Sequence, residues 1–247
     1  MRADPDLPSG AAELWERLGG RAVVVQLPRN NLTGNGTRSP PTSKREPSLI
    51  KRLASHVTRP PATSATTLIA DRFTAQNRRP DGLTDLDVSA LPPLLRTVLV
   101  SDSTVTSLFE AYTMRPLRVD VLAEDLVELD HGSAAWLEVP VGTACARRRV
   151  LVRDAAEDDP LYCAQTYLLP GRLPQQLRDS FIEERLGIGA AIRRHLVESL
   201  RELLWFGRAV APNWARDHMP ARLTVHRTYR IRLHGLPAIL AGEDFCD

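Results

Sequence analysis

Lysine is almost missing from this chain: Lys44 and Lys51 are the only two among 32 basic residues, and the rest are arginine. With so much Ala and Leu this is what a GC-rich genome encodes, and it says little about mechanism. An excess of charge of one sign is also missing. The 32 basic residues face 30 acidic ones for a net charge of +2, which excludes the broad basic footprint of a nucleic-acid binder. A small ligand or a protein is the expected partner, not nucleic acid. Cysteine is scarce: Cys145, Cys163 and Cys246 are odd in number and widely spaced, a pattern that fits neither a disulfide framework nor a zinc cluster and suits a reducing compartment. No hydrophobic run approaches the roughly 20 apolar residues of a membrane span. The first 20 residues carry acids early and lack the apolar centre of a signal peptide. The expectation is a soluble, cytoplasmic protein with no membrane partner.

What is present falls into two parts. Residues 11–18 read as one short helix and residues 22–27 as a short strand or buried run. From Pro28 to Thr67 the chain is rich in Pro, Ser, Thr, Asn and Arg and offers too little apolar surface to offset the entropy of ordering, as in a linker. Residues 1–85 are therefore read as an N-terminal extension and residues 86–247 as the folded domain.

After Leu86 the patterning sharpens. The stretch LPPLLRTVLVSDSTVTSLFEAY predicts two helices joined by a turn, with Asp102 or Ser103 as the cap of the second. In LRVDVLA, residues Leu117, Val119, Val121 and Ala123 fall on one face of a strand and Arg118 and Asp120 on the other. RRRVLVR and LYCAQTYLL predict a hairpin around the acidic turn DAAEDDP. Apolar positions at spacings of three and four predict one long helix over residues 188–204. Near the end, Val225, Tyr229, Ile231 and Leu233 alternate with His226, Thr228, Arg230 and Arg232, and HGLP turns the chain into a last strand. Strands joined by hairpins and interleaved with a few helices imply an α+β fold around an antiparallel sheet.

The collinear set LLRTVLVSDSTVT, LRVDVLA, VPVGTACARRRVLVR, LYCAQTYLLPGRLP, RLGIGAAI and RTYRIRLHGLPAILAGEDF resembles the chorismate pyruvate-lyase family over residues 86–245. The resemblance implies a chorismate-lyase-like fold: about six antiparallel strands with helices on one face, and a pocket closed beneath helix–turn–helix flaps. It also implies a carbon–oxygen lyase that splits chorismate into 4-hydroxybenzoate and pyruvate, without metal or organic cofactor, for an aromatic secondary-metabolite or cofactor pathway. Such a site must hold a dianion, assist the departing oxygen and accept a proton.

Carried onto this chain, the resemblance makes Glu243, in Gly242-Glu243-Asp244-Phe245, the catalytic residue, with Asp244 on the opposite side of its strand. Val105 and Leu186 fall where the family offers backbone N–H groups to the ligand carboxylate at helix starts. Ala123 stands where the family carries an Arg or Lys, and by the alternation of its strand that position points inward, where an introduced Arg would meet the carboxylate. Either another arginine substitutes for that cation, with Arg147, Arg149 and Arg230 as the possible substitutes, or the alignment slips locally there, or the ligand has changed. Gln165 and Gly242 are milder departures, where Glu and Thr are common. His195 and His226 lack partners suggestive of a dyad and are read as structural; Cys145 and Cys163 are read as inert buried thiols. The alternative function is a non-catalytic domain that binds a small aromatic acid, because the same fold serves as the effector domain of a transcription-regulator family, or an inactive homologue.

Overall fold

The computed structural model describes residues 67–183, 187–219 and 222–246. The helix, strand and linker read ahead of Thr67 lie outside them, as does Leu186. Helices α1 (Pro93–Val100) and α2 (Val105–Thr113) lead into strand β1 (Leu117–Glu128). The short helix α3 (His131–Leu137) precedes β2 (Ala144–Asp154) and β3 (Pro160–Leu168). Helices α4 (Gln175–Glu183) and α5 (Ile188–Arg194) then precede β4 (Ser199–Val210), β5 (Leu223–Leu233) and β6 (Leu236–Cys246). The strands form one six-stranded sheet in the order β1-β2-β3-β6-β5-β4, every neighbouring pair antiparallel. This is the expected α+β class.

Local chemistry accounts for most of these elements. Pro93 opens α1 where its missing N–H costs nothing. The β5–β6 hairpin turns through His234 and Gly235, both at positive φ (50° and 80°), the conformation whose twist suits a two-residue hairpin. Thr104, not Asp102 or Ser103, is the N-cap of α2, and no side chain caps it.

The long helix expected over 188–204 is not formed. It ends at Arg194, Leu196 adopts φ 51°, and β4 begins at Ser199. The apolar run Leu203-Leu204-Trp205-Phe206 is buried throughout because both faces of β4 are covered there. A run of that kind lacks the alternation that marks a half-exposed strand, and it prolonged the helical stripe read from the sequence.

Helices α1, α2, α4 and α5 pack on one face of the sheet, where Leu95, Leu99, Phe109, Leu177, Phe181 and Ala191 meet Val152, Tyr229, Ile231 and Phe245. Helix α3 lies on the other face, with Leu137 and Trp136 against Trp205 and Leu240. Of the four register shifts among the described residues, two decide which side chains face the cavity. One lies between Val121 and Ala123 in β1, the other between Leu203 and Trp205 in β4. Each adds one residue and so reverses the in–out alternation beyond it.

Residues 67–85 belong to this packed unit. Phe73 and Ala75 are buried, and the Phe73 ring lies 4.7 Å from that of Phe206. Thr74 and Ala75 donate to the carbonyls of Leu203 and Leu204, each at 2.9 Å. The Gln76 amide bonds both ways with the Phe206 backbone. A fragment starting at Leu86 is therefore expected to lose about 3 kcal/mol or more relative to one starting at Thr67, from one buried Phe and several hydrogen bonds. Parallel thermal melts check this; equal midpoints would show the segment to be dispensable.

Candidate functional site

Between the sheet and the helices lies a cavity of about 60 Å³. Val119, Val150, Val152 and Ala164 form its apolar floor, the start of α2 (Thr104, Val105, Thr106) and the start of α5 (Gly187, Ile188, Gly189) form its roof, and Arg148, Arg201, Tyr162, Tyr229 and Glu243 supply its chemistry. The two roof segments touch. Arg193 Nη1 donates to Ser107 Oγ at 3.0 Å, and Gly189 lies so close to Thr104 that a Cβ there would stand 2.5 Å from its Oγ1. Gly189→Ala should therefore hold the flaps apart. Overpacking of this kind costs about 1–3 kcal/mol, here charged to the closed state, so a bound ligand should leave roughly tenfold faster. Stopped-flow displacement reads that rate, and an unchanged value would mean that the flaps do not gate the cavity.

Glu243 sits on β6, between Ala164 of β3 and Arg227 of β5, and is 6% exposed. Arg227 Nε donates to its Oε2 at 2.8 Å, and the Tyr229 hydroxyl donates to its Oε1 at 2.8 Å. Arg227 is fully buried. Its Nη1 reaches the carbonyls at the end of α1, those of Val98, Leu99 (3.2 Å) and Ser101 (2.9 Å). One guanidinium thus ties the acid to the helix that precedes the flap. Burial, followed by the nearby Glu243 carboxylate, pushes the Tyr229 and Tyr162 hydroxyls well above the ordinary phenol range, so both remain neutral. The Tyr162 hydroxyl also meets Thr106 Oγ1 at 3.2 Å.

Two further arginines line the cavity. Arg148, 2% exposed, stands opposite Glu124 in the β1–β2 register. Arg201 lies 4.5 Å from the centre of the Tyr229 ring, and its Nη1 donates to the Ser103 carbonyl. At the roof, the uncapped first turn of α2 leaves N–H groups, Val105 included, open to an anion.

Of the residues named from the sequence, Glu243 and Val105 come together at this cavity. Arg149 and Arg230 do not. Arg149 bonds Gln165 at 2.9 Å and lies over Trp214, while Arg230 pairs with Glu202 at 2.5 Å and Glu138 at 3.1 Å. Arg147 pairs with Asp125. All three project from the opposite face. Ala123 follows them, because the β1 bulge aligns it with Arg149 and brings Glu124 into the row facing the helices. Its expected inward position is thus corrected, and an Arg introduced there would stand beside Arg149, not in the cavity.

Arg148, Arg201, Arg227 and Tyr229 also bound or adjoin this cavity without being singled out by any sequence motif. Arg227 had a usable signal, since it interrupts the otherwise apolar row Val225, Tyr229, Ile231 and Leu233. His226 is not partnerless as expected: its Nδ1 meets Asp244 Oδ1 at 3.0 Å and its Nε2 meets Thr228 Oγ1 at 2.8 Å. His195 Nε2 meets Ser180 Oγ at 2.6 Å. Cys145 and Cys163 are buried, and burial pushes the Cys145 thiol up to about 12, as suits an inert thiol. Among the described residues no His, Cys, Asp and Glu cluster is placed to hold a metal, and no helix is long and apolar enough to cross a membrane.

Comparison with known proteins bears on this arrangement. A family model described as "Chorismate pyruvate-lyase Rv2949c-like" matches residues 99–246. No curated protein matches the chain. Among solved structures, PhnF from Mycobacterium smegmatis is 14% identical with a TM-score of 0.45, over 79% of this chain and 92% of that one. The effector domain of the same protein is 16% identical with a TM-score of 0.44, over 58% and 88%. A GntR-family transcriptional regulator from Bacillus cereus is 15% identical with a TM-score of 0.42, over 52% and 90%. Because the family model spans all six strands and the helices that roof the cavity, this chain belongs to the Rv2949c-like chorismate pyruvate-lyase family.

Proposed function

We propose that the chain is a cytoplasmic chorismate lyase, releasing 4-hydroxybenzoate and pyruvate in an aromatic secondary-metabolite or cofactor pathway, with no metal or organic cofactor. The observation that carries this reading is the buried Glu243 carboxylate. It is held at both oxygens by Arg227 and Tyr229 and lines a cavity that Arg148 and Arg201 also line. Chorismate carries two carboxylates, and the two arginines together with the open N–H groups of α2 supply positive potential for them. In the reaction the bond from the ring to the ether oxygen breaks, its electron pair leaves with the enolpyruvyl group, and the ring loses a proton to become aromatic. Glu243 is the acceptor for that proton, and the enol released takes up a proton to give pyruvate. No water or redox partner is consumed. Burial contributes by excluding solvent, and the fixed Arg227 and Tyr229 contacts spare the acid any reorganisation during the step.

The test is incubation of the purified chain with chorismate, followed by chromatography for 4-hydroxybenzoate and pyruvate in equal amounts. Absence of both at high protein concentration, from a chain with a normal cooperative melt, would overturn the lyase reading. Retained binding of 4-hydroxybenzoate in that case would favour the non-catalytic, effector-type domain.

A further inference from the structure

A second cleft, of about 280 Å³, opens on the face of the sheet opposite the cavity, between Tyr167, Trp205, Trp214, Gln165, His226 and Asp244. We propose that this outer cleft is a separate binding site for a small hydroxylated aromatic carboxylate, with Arg149 holding the carboxylate and Asp244 accepting from the ring hydroxyl. The proposal does not rest on the reading of the inner cavity.

Arg149 does not itself line the cleft but borders it through two residues that do, Gln165 and Trp214, and its charge points to an anion. Among the described residues Arg149 makes no ion pair; its Nε donates to the neutral Gln165 amide oxygen at 2.9 Å, and its guanidinium lies 5.6 Å from the centre of the Trp214 ring. Its two Nη groups are thereby left for a bidentate acceptor, the geometry that guanidinium and carboxylate share. Gln165 Nε2 donates in turn to the Tyr167 hydroxyl at 3.0 Å. Having accepted that bond, the Tyr167 hydroxyl has its own hydrogen to offer to the same anion.

At the other end Asp244 Oδ1 accepts from Thr224 Oγ1 at 2.9 Å and from His226 Nδ1 at 3.0 Å. With its Nδ1 hydrogen committed to a carboxylate, His226 turns Nε2 as an acceptor toward the Thr228 hydroxyl at 2.8 Å. The relay is closed on itself, and Asp244 Oδ2 is left for a donor. Gly242 lies between the two ends, and a Cβ there would stand 3.2 Å from the His226 ring, so the bare backbone makes room for that ring in the cleft. In register Arg149 is two strands from Gly242, and Asp244 lies two residues further along β6. That separation is roughly 12 Å between backbones, a span suited to a benzoate with a hydroxyl opposite its carboxylate. The indoles and the Tyr167 ring supply flat apolar walls for the ring between.

The experiment is calorimetric titration of the full chain with 4-hydroxybenzoate and with unsubstituted benzoate, in the wild type and in the Arg149→Gln and Trp214→Leu variants. The expected result is a binding event weakened about tenfold or more by each substitution, and tighter for 4-hydroxybenzoate than for benzoate. Binding indifferent to both substitutions, or no binding at millimolar ligand, overturns the site. Should either variant melt early, the indole N–H resonances of Trp205 and Trp214 in the wild type decide the matter, since both must shift on titration if the cleft is occupied. Chorismate turnover is read separately and is expected to be unchanged in Arg149→Gln, so failure of the lyase reading and failure of this site remain distinct.

Discussion

Arg227→Met is expected to destabilise the fold by about 3–5 kcal/mol, the scale for removing one partner of a buried ion pair. Arg227 has no solvent exposure and joins three elements: it binds Glu243 on β6, lies on β5, and closes the last carbonyls of α1. Methionine matches much of its length but returns none of those bonds. The Glu243 carboxylate would be left buried with only the Tyr229 hydroxyl, and the α1 carbonyls would lose their donor. Urea unfolding of the single variant, of Glu243→Gln and of the double variant forms a cycle that isolates the pair. Because a neutral amide no longer needs the cation, the double variant should lose less than the sum of the singles. A loss below about 1 kcal/mol in Arg227→Met would mean that solvent or another group already compensates the acid.

Glu243→Gln is expected to lower turnover of chorismate by about 100-fold or more, the usual effect of removing a positioned acid or base. The amide oxygen can still accept from Arg227 or from Tyr229, so the fold should survive with a loss of about 1–3 kcal/mol. Binding of 4-hydroxybenzoate should change by only a few-fold, because Arg148 and Arg201 line the same cavity and are untouched. Reduced kcat with nearly constant affinity is what separates a proton acceptor from a residue that only shapes the pocket. An unchanged rate would remove Glu243 from the mechanism.

Individual residues show how far sequence reasoning reached. Glu243 and Val105 are named by the order of short motifs in the sequence, and the fold places both on the lining of the cavity. Three consecutive arginines, Arg147 to Arg149, must alternate in a strand, and only the register decides that Arg148 lines the cavity while its two neighbours face the other side. Arg201 was hidden by the helix expected over 188–204, on whose polar side it would have stood. In β4 it instead aligns with Ile231, in the row that faces the helices.

The sequence by itself determined the α+β class, the pairing of β2 with β3 and of β5 with β6, and the apolar row of β5, because these follow from contacts between near neighbours and from periodicity along a single element. Tertiary structure alone decided which arginines meet the cavity, that residues 199–210 form a strand, and that His226 joins Asp244 beside a second cleft. The physical reason is parity. A single extra residue at Leu122 in β1 or Leu204 in β4 turns every later side chain to the other face, and whether a strand accommodates that residue as a bulge depends on partners far away in the chain.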